Sequence, residues 1–224
     1  MAGRSGDVDV LDVVAAGHRG DAETARHALT SPDAHLREAA LGALARSGAL
    51  ETRTVVAAIR HDPSPAVRRR ACDLAATIEG SDEVTSALCE ALGDDDPLVV
   101  ESACWALGET CAGPPPPVEG VPLAEGPAGE RPGLAAVVGA LGETARSHGD
   151  ARAREAAVAA LGAIGDERGL PAVLDALGDR PGVRRRAVVA LAAFEGDEVD
   201  RALRASAQDR DWQVREVAEI LLDE

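Results

Sequence analysis

The residue types that most often carry enzyme chemistry are sparse in this chain and form no recognisable catalytic pattern. Its four cysteines (Cys72, Cys89, Cys104 and Cys111) show neither CxxC pairs nor the spacing of a zinc site. Cys72 and Cys104 occupy a recurring position that elsewhere holds mostly Leu or Val, so buried apolar roles are expected. The sequence contains no Gly-rich phosphate loop and no nucleophile elbow. We therefore expect a non-enzyme with no catalytic residue, no cofactor and no metal ion.

Charge is the strongest chemical signal in the sequence. Thirty-nine acidic residues oppose 23 basic ones, all of them arginine, for a formal net charge of −16. A field of this sign repels phosphate backbones, so nucleic acid is a disfavoured partner. The acid excess without lysine indicates an extreme halophile, and the alternative is a mesophile with an acidic surface. Since no apolar run reaches the roughly 18 residues of a membrane span and no secretory signal is evident, we expect a cytoplasmic protein without a membrane partner.

Two arginine triplets, 68–70 and 184–186, could bind an anionic ligand. The alternative is that both triplets are solvated helix faces whose members pair with nearby acids such as Asp73.

The elements that position these residues follow from a repeat. Six segments share a Val-like register residue, usually followed by Arg, with Ala four places on and apolar residues seven and eight places on. The register residues are Leu36, Val67, Val99, Ala153, Val183 and Val214. Their spacings of 31, 32, 54, 30 and 31 residues predict stacked two-helix units, each burying a face against its neighbours.

Two segments fall outside this repeat within one predicted domain, 1–224. Residues 7–17 are expected to form an N-terminal capping helix. The long spacing contains residues 111–133, which hold seven of the 13 prolines and predict an inserted loop between the third and fourth repeats. A flexible insertion without function and a docking tether both remain open for this loop.

The runs at 36–48, 153–166 and 183–197 resemble the second helix of HEAT repeats, most closely the short subtype named after phycobilisome lyase subunits. The resemblance implies an all-α fold, a right-handed α-α superhelix of about six helical hairpins. In that family an Asp before the second helix and the Arg after the register residue commonly form a ladder between units. The matching residues are Arg37, Arg68, Arg154, Arg184 and Arg215, with Asp62, Asp94, Asp179 and Asp209. Some HEAT-like hydroxylases bind iron through His–Glu dipeptides, and none of the five histidines here is followed by Glu.

Positions two and six after the register residue are predicted to project into the concave side of the stack. Position two holds Glu38, Arg69, Glu101, Glu155, Arg185 and Glu216. Position six holds Gly42, Asp73, Trp105, Ala159, Val189 and Ile220. Trp105, beside Glu101 and Arg69, is the predicted interface anchor. The alternative is that Trp105 fills a void under the insertion, and Trp212 is expected to pack locally.

These observations favour a non-catalytic scaffold or adaptor that binds a segment of a protein partner, as a monomer or weak homo-oligomer. Two alternatives stay open: a lyase-like or chaperone-like subunit acting on a prosthetic group, and a DNA-binding or repair protein.

Overall fold

The protein is helical throughout the part of the chain that the structure describes. The computed structural model describes residues 8–78, 81–112 and 133–223, which form thirteen α-helices and one 3-10 helix and contain no strand. The predicted all-α class is therefore confirmed. The helices are α1 (Val10–Arg19), α2 (Ala22–Ala28), α3 (Ala34–Arg46), α4 (Thr52–His61), α5 (Pro65–Ala75), α6 (Asp82–Ala91), α7 (Pro97–Cys111), α8 (Leu134–Ser147), α9 (Ala151–Ile164), α10 (Leu170–Ala176), α11 (Pro181–Leu191), α12 (Asp197–Ser206) and α13 (Trp212–Asp223), with the 3-10 helix at Glu167–Gly169.

The chain divides into two compact units, Met1–Ala103 and Cys104–Glu224, here called unit 1 and unit 2. The division falls inside α7, so unit 1 contains α1 to α6 and unit 2 contains α8 to α13. The helices that carry the register residues are called second helices: α3 and α5 in unit 1, α7 at the division, and α9, α11 and α13 in unit 2. The prediction of a single domain remains a prediction.

The second helices begin where the sequence supplies suitable starting residues. Pro65 and Pro181 stand in the first turns of α5 and α11, where a missing backbone N–H costs no helical hydrogen bond. The Asp33 carboxylate caps α3 by accepting the His35 N–H at 2.9 Å, and the Asp150 carboxylate caps α9 by accepting the Arg152 N–H at 2.7 Å.

Small residues allow neighbouring helices to approach closely within each unit. A Cβ built on Gly162 of α9 would lie 2.7 Å from Ala190 Cβ of α11, so this crossing requires glycine. The same arrangement occurs in unit 1, where a Cβ on Gly17 of α1 would lie 2.8 Å from Ala43 Cβ of α3. Helix α1 therefore packs on α3 in the way that one second helix packs on the next.

The two predicted segments outside the repeat differ in how far the structure describes them. The helix predicted at 7–17 begins three residues later, because Asp9 and Asp12 form a capping box that fixes the start of α1 at Val10. It continues to Arg19 and ends at Gly20, which adopts positive φ. The predicted loop at 111–133 lies outside the described residues apart from Cys111, Ala112 and Gly133.

Candidate interaction surface on the second helices

In unit 1, the arginines that follow the register residues Leu36 and Val67 each contact an aspartate of the next repeat. Arg37 donates from Nε and Nη2 to the two carboxylate oxygens of Asp62, each at 2.8 Å. Arg68 binds Asp94 in the same bidentate way, at 2.6 and 2.8 Å. All four side chains are largely buried, which is the setting in which charge-assisted pairs are strongest.

Unit 2 repeats this arrangement at two positions. Arg154 binds both carboxylate oxygens of Asp179 at 2.6 and 2.8 Å, and Arg184 binds those of Asp209 at 2.9 and 2.7 Å. Arg215, in the last repeat, instead donates to the backbone carbonyl of Asp209 at 2.7 Å. Arg154 and Arg184 connect consecutive repeats, as Arg37 and Arg68 do in unit 1, whereas Arg215 bonds within its own repeat. This use of their donors supports a structural role for these arginines.

The pKa values of the four ladder carboxyls are all lowered. In Asp179 and Asp209 the largest cause is the hydrogen bond from the partner arginine. In Asp62 and Asp94 burial alone would raise the pKa, but hydrogen bonds from the arginine and from a turn N–H together outweigh it. The carboxylates are therefore held ionised and engaged, which is unsuitable for general acid–base work near neutral pH.

The carboxylates of two ladder aspartates also accept hydrogen bonds from backbone N–H groups of the turn in which they lie. Asp62 accepts the Ser64 N–H at 2.9 Å, and Asp209 accepts the Asp211 N–H at 2.7 Å. Both donors precede the first helical residue, because two turn residues separate Asp62 from the start of α5 and two separate Asp209 from the start of α13. These carboxylates stabilise the turn while they bind the neighbouring repeat's arginine.

Unit 2 exposes an apolar row at register position six. Trp105 of α7 is 50% exposed, Val189 of α11 is 45% exposed and Ile220 of α13 is 55% exposed, with Ala159 of α9 partly buried between the first two along the register. Helix α7 approaches α9 closely, since a Cβ on Gly108 would lie 3.3 Å from Ala160 Cβ. We call Trp105, Ala159, Val189 and Ile220 the apolar row.

Charged side chains at position two border the apolar row. Glu155 and Arg185 are partly buried and Glu216 is exposed. Arg185 donates to Gln213 Oε1 at 3.3 Å, and Glu155 lies 3.7 Å from the neighbouring Arg186. This surface therefore combines apolar side chains with weakly paired charges of both signs.

The other predicted contact residues lie in unit 1. Arg69 of α5 is exposed, whereas Asp73, one turn further on, and Glu38 of α3 are partly buried. Glu101 is partly buried in the first half of α7. Trp105 falls in unit 2, so the predicted grouping of Trp105 with Glu101 and Arg69 remains a prediction.

Two features differ from the sequence expectations. Trp212 was expected to pack locally but is 60% exposed, because it stands at the first residue of α13. The alternative interpretation of the arginine triplets pairs their members with acids such as Asp73, yet Arg70 forms no ion pair within the described residues. Sequence reasoning also missed Arg46, which stands ten places after its register residue and shares a cleft with Arg70.

The described residues offer no metal site and no membrane span. No group of three or more His, Cys, Asp or Glu side chains in residues 8–78, 81–112 and 133–223 could hold a metal ion. Within the same ranges, every helix is too short or too polar to cross a bilayer.

Comparisons with known structures place this architecture among helical repeat proteins. The chain aligns with Escherichia coli YibA with a TM-score of 0.63 and 18% identity, covering 99% of this chain and 77% of that one. It aligns with a designed armadillo repeat protein, solved in complex with the peptide (KR)4, with a TM-score of 0.58 and 18% identity over 90% of this chain and 98% of that one. A structure of the CpcE–CpcF complex of phycocyanin lyase from a Nostoc species gives a TM-score of 0.54 and 19% identity, covering 97% of this chain and 77% of that one. These similarities confirm the repeat-solenoid fold class.

Sequence comparisons give the family. No curated protein matches the chain significantly. A family model described as HEAT repeats matches residues 52–118 and 136–223, which is more than half of the sequence. The chain therefore belongs to the HEAT-repeat family.

Proposed function

We propose that this protein is a non-catalytic scaffold that binds a segment of a protein partner across the second helices of unit 2. The observation that carries the proposal is the apolar row, in which Trp105, Val189 and Ile220 are each close to half exposed. Aromatic residues are 1% of the sequence, so an exposed indole on this face is distinctive. Tryptophan is also the residue most enriched among the energetic anchors of protein interfaces.

The dimensions of the row suit a short extended segment. Packed helix axes lie about 8–10 Å apart, so a row across four helices is on the order of 25–30 Å long. An extended chain rises about 3.3 Å per residue, and about eight residues would therefore span it. Repeat surfaces of this kind bind partners by presenting one side chain after another along the stack.

Charge favours a partner segment that combines basic and apolar residues. The chain carries a net charge of −16, and two of the three charged side chains that border the row, Glu155 and Glu216 but not Arg185, are acidic. The designed armadillo repeat protein, 18% identical to this chain, was solved with the peptide (KR)4, so a basic segment can occupy a surface of this fold. A field of this sign raises the association rate of a basic segment, and added salt should reduce that effect.

The test compares two tryptophans that have similar exposure and different positions. Trp105→Ala removes the anchor of the apolar row, whereas Trp212→Ala removes an exposed indole at the start of α13 outside that row. We expect a protein captured by the wild-type chain from native-salt lysate to be lost with Trp105→Ala and retained with Trp212→Ala. Equal recovery with both variants, each checked for unchanged helical circular dichroism, would remove the proposed surface.

A lyase-like or chaperone-like subunit acting on a prosthetic group is the second candidate. It is favoured by the similarity to the CpcE–CpcF complex, which indicates fold alone at 19% identity. Visible absorption that copurifies with the protein, or that develops when a bilin is added, would support this candidate. A featureless visible spectrum in both conditions would leave the scaffold proposal in place.

We also propose a cytoplasmic, salt-adapted protein. The 39 acidic against 23 basic residues and the exclusive use of arginine as the basic residue support the salt adaptation.

A further inference from the structure

Two arginine side chains converge on the second-helix face of unit 1. Arg46 is the last residue of α3, and Arg70 lies in the middle of α5. A Cβ built on Gly42 would lie 3.4 Å from Arg46 Nη1 and 3.3 Å from Arg70 Nη2. Both guanidinium groups therefore border one small space, which exists because residue 42 has no side chain.

Neither guanidinium has an acidic partner in the part of the chain that the structure describes. Among the described residues, Arg46 and Arg70 form no ion pair and no side-chain hydrogen bond, in contrast to the ladder arginines Arg37 and Arg68 of the same helices. The chain has an excess of acidic residues, so pairing them would have been easy. Two positive charges that face one space repel each other, and an anion between them would convert this repulsion into attraction.

The space opens into a cleft of about 340 Å³ that could admit a small ligand. Val10 and Val14 of α1 form an apolar wall, and His35 and Ala39 of α3 line the cleft beside them. An apolar wall lowers the local dielectric and so strengthens an ion pair formed against it. Glu38 is the acidic group in the lining and opposes anion binding.

We propose that Arg46 and Arg70 together bind a single oxyanion, a carboxylate or a phosphoryl group, in the space above Gly42. Planar guanidinium groups match the two oxygens of either group and donate charge-assisted hydrogen bonds to them. A small anion is favoured over a polyanion, because the net charge of −16 repels extended phosphate backbones. This site lies wholly in unit 1 and does not depend on the apolar row of unit 2.

The test is an NMR titration of the full-length protein with inorganic phosphate and, separately, with acetate, at constant ionic strength set by chloride. We expect saturable shifts of the Gly42 amide and of the Arg46 and Arg70 Nε–H signals. Saturation by phosphate alone would assign a phosphoryl ligand, saturation by acetate alone would assign a carboxylate, and saturation by both would show an oxyanion site that accepts either group. Each of Arg46→Gln and Arg70→Gln should weaken binding by about tenfold or more, as expected for loss of charge-assisted hydrogen bonds.

Two further variants separate a site from general charge. Glu38→Gln should tighten binding, because it removes a negative charge from the cleft lining, and a gain cannot arise from misfolding. Arg26→Gln changes the same charge on an exposed residue of α2 outside the cleft and should leave the affinity unchanged. Non-saturating shifts in the wild type, or equal losses in Arg26→Gln and Arg70→Gln, would overturn the proposal.

Discussion

The ladder pair between Arg184 and Asp209 allows a sharp test of what holds consecutive repeats together. The Arg184 side chain is 5% exposed and donates two hydrogen bonds to Asp209, which is 16% exposed. Asp209→Asn keeps the shape and one carbonyl oxygen but removes the negative charge. The Arg184 charge would then be left buried without a counter-ion.

The expected cost follows from the geometry. Removing one partner of a buried ion pair costs about 3–5 kcal/mol, and hydrogen bonds to charged groups contribute about 1.5–3 kcal/mol each. The asparagine oxygen keeps one of the two bonds and Asp209 has some access to water, so the cost should lie at or just below the lower end of the range of about 3–5 kcal/mol. We expect a loss of about 2–3 kcal/mol in the free energy of unfolding. For a chain of this size the midpoint should fall by roughly 4–12 °C.

The assay is thermal and urea unfolding followed by helical circular dichroism. The matched control is Asp200→Asn, which breaks an exposed pair with Arg204 whose two side chains are 56% and 67% exposed. That control should cost less than about 1 kcal/mol. Hydrogen exchange should show the destabilisation first in α12 and α13, because each repeat is held by its neighbours.

A double variant decides whether the cause is the stranded charge. Adding Arg184→Met to Asp209→Asn removes the buried cation and should restore part of the lost stability, because well-packed apolar groups often replace a buried pair without loss. Simple additivity of the two single losses, or a cost for Asp209→Asn as small as that of Asp200→Asn, would refute the reasoning.

Four other outcomes follow from the structure. Because the pKa values of the ladder carboxyls are lowered in the folded protein, these groups stabilise it fully above their unfolded pKa of about 3.9. This stabilisation is lost as the pH falls through the lower folded pKa values. The thermal midpoint should therefore fall less steeply with decreasing pH in Asp209→Asn than in the wild type. Gly162→Ala should destabilise the protein by forcing α9 away from Ala190, whereas Gly139→Ala, at a helical position with open space, should stabilise it by up to about 1 kcal/mol, both measured by urea unfolding. Burial raises the pKa of the Cys72 thiol to about 12, so mass spectrometry should find it unmodified by thiol reagents at pH 8 until the protein unfolds. The net charge of −16 predicts that dialysis to low salt lowers the thermal midpoint; a midpoint independent of salt would contradict the halophile interpretation.

The repeat register was enough to predict the helical architecture. The pattern that starts at Val67, Ala153 and Val183 predicted buried positions correctly, and all three residues are at most 1% exposed. It succeeded because apolar spacing and proline or aspartate at helix starts act locally. The packing of α1 on α3 could not be predicted in this way, because it depends on a close approach between Gly17 and Ala43, which are distant in the sequence.

Site residues were harder to predict, because exposure depends on neighbouring repeats. Side chains at position six are predicted to project into the concave side and so to be accessible to solvent. Val189 and Ile220 are exposed, yet Gly42 at the same position is buried beneath Arg46 and Arg70. No sequence pattern indicates a role for Arg46, because that role depends on the proximity of its guanidinium to that of Arg70 in the next repeat. A pattern that describes one repeat cannot report which side chains from two repeats share a space.

Register position separates two kinds of arginine in this protein, and the separation bears on function. Arginines one place after the register residue, such as Arg37 and Arg184, use their guanidinium forks on an aspartate of the next repeat and have little capacity left for a ligand. Arg46 and Arg70, at other positions, have no such commitment within the described chain. Substitution of a ladder arginine should therefore change stability and leave anion affinity nearly unaltered in the molecules that remain folded. Substitution of Arg46 should weaken anion affinity and leave the free energy of unfolding nearly unaltered. A single variant that lowered stability and anion affinity equally would show that the two sets of arginines do not have separate roles.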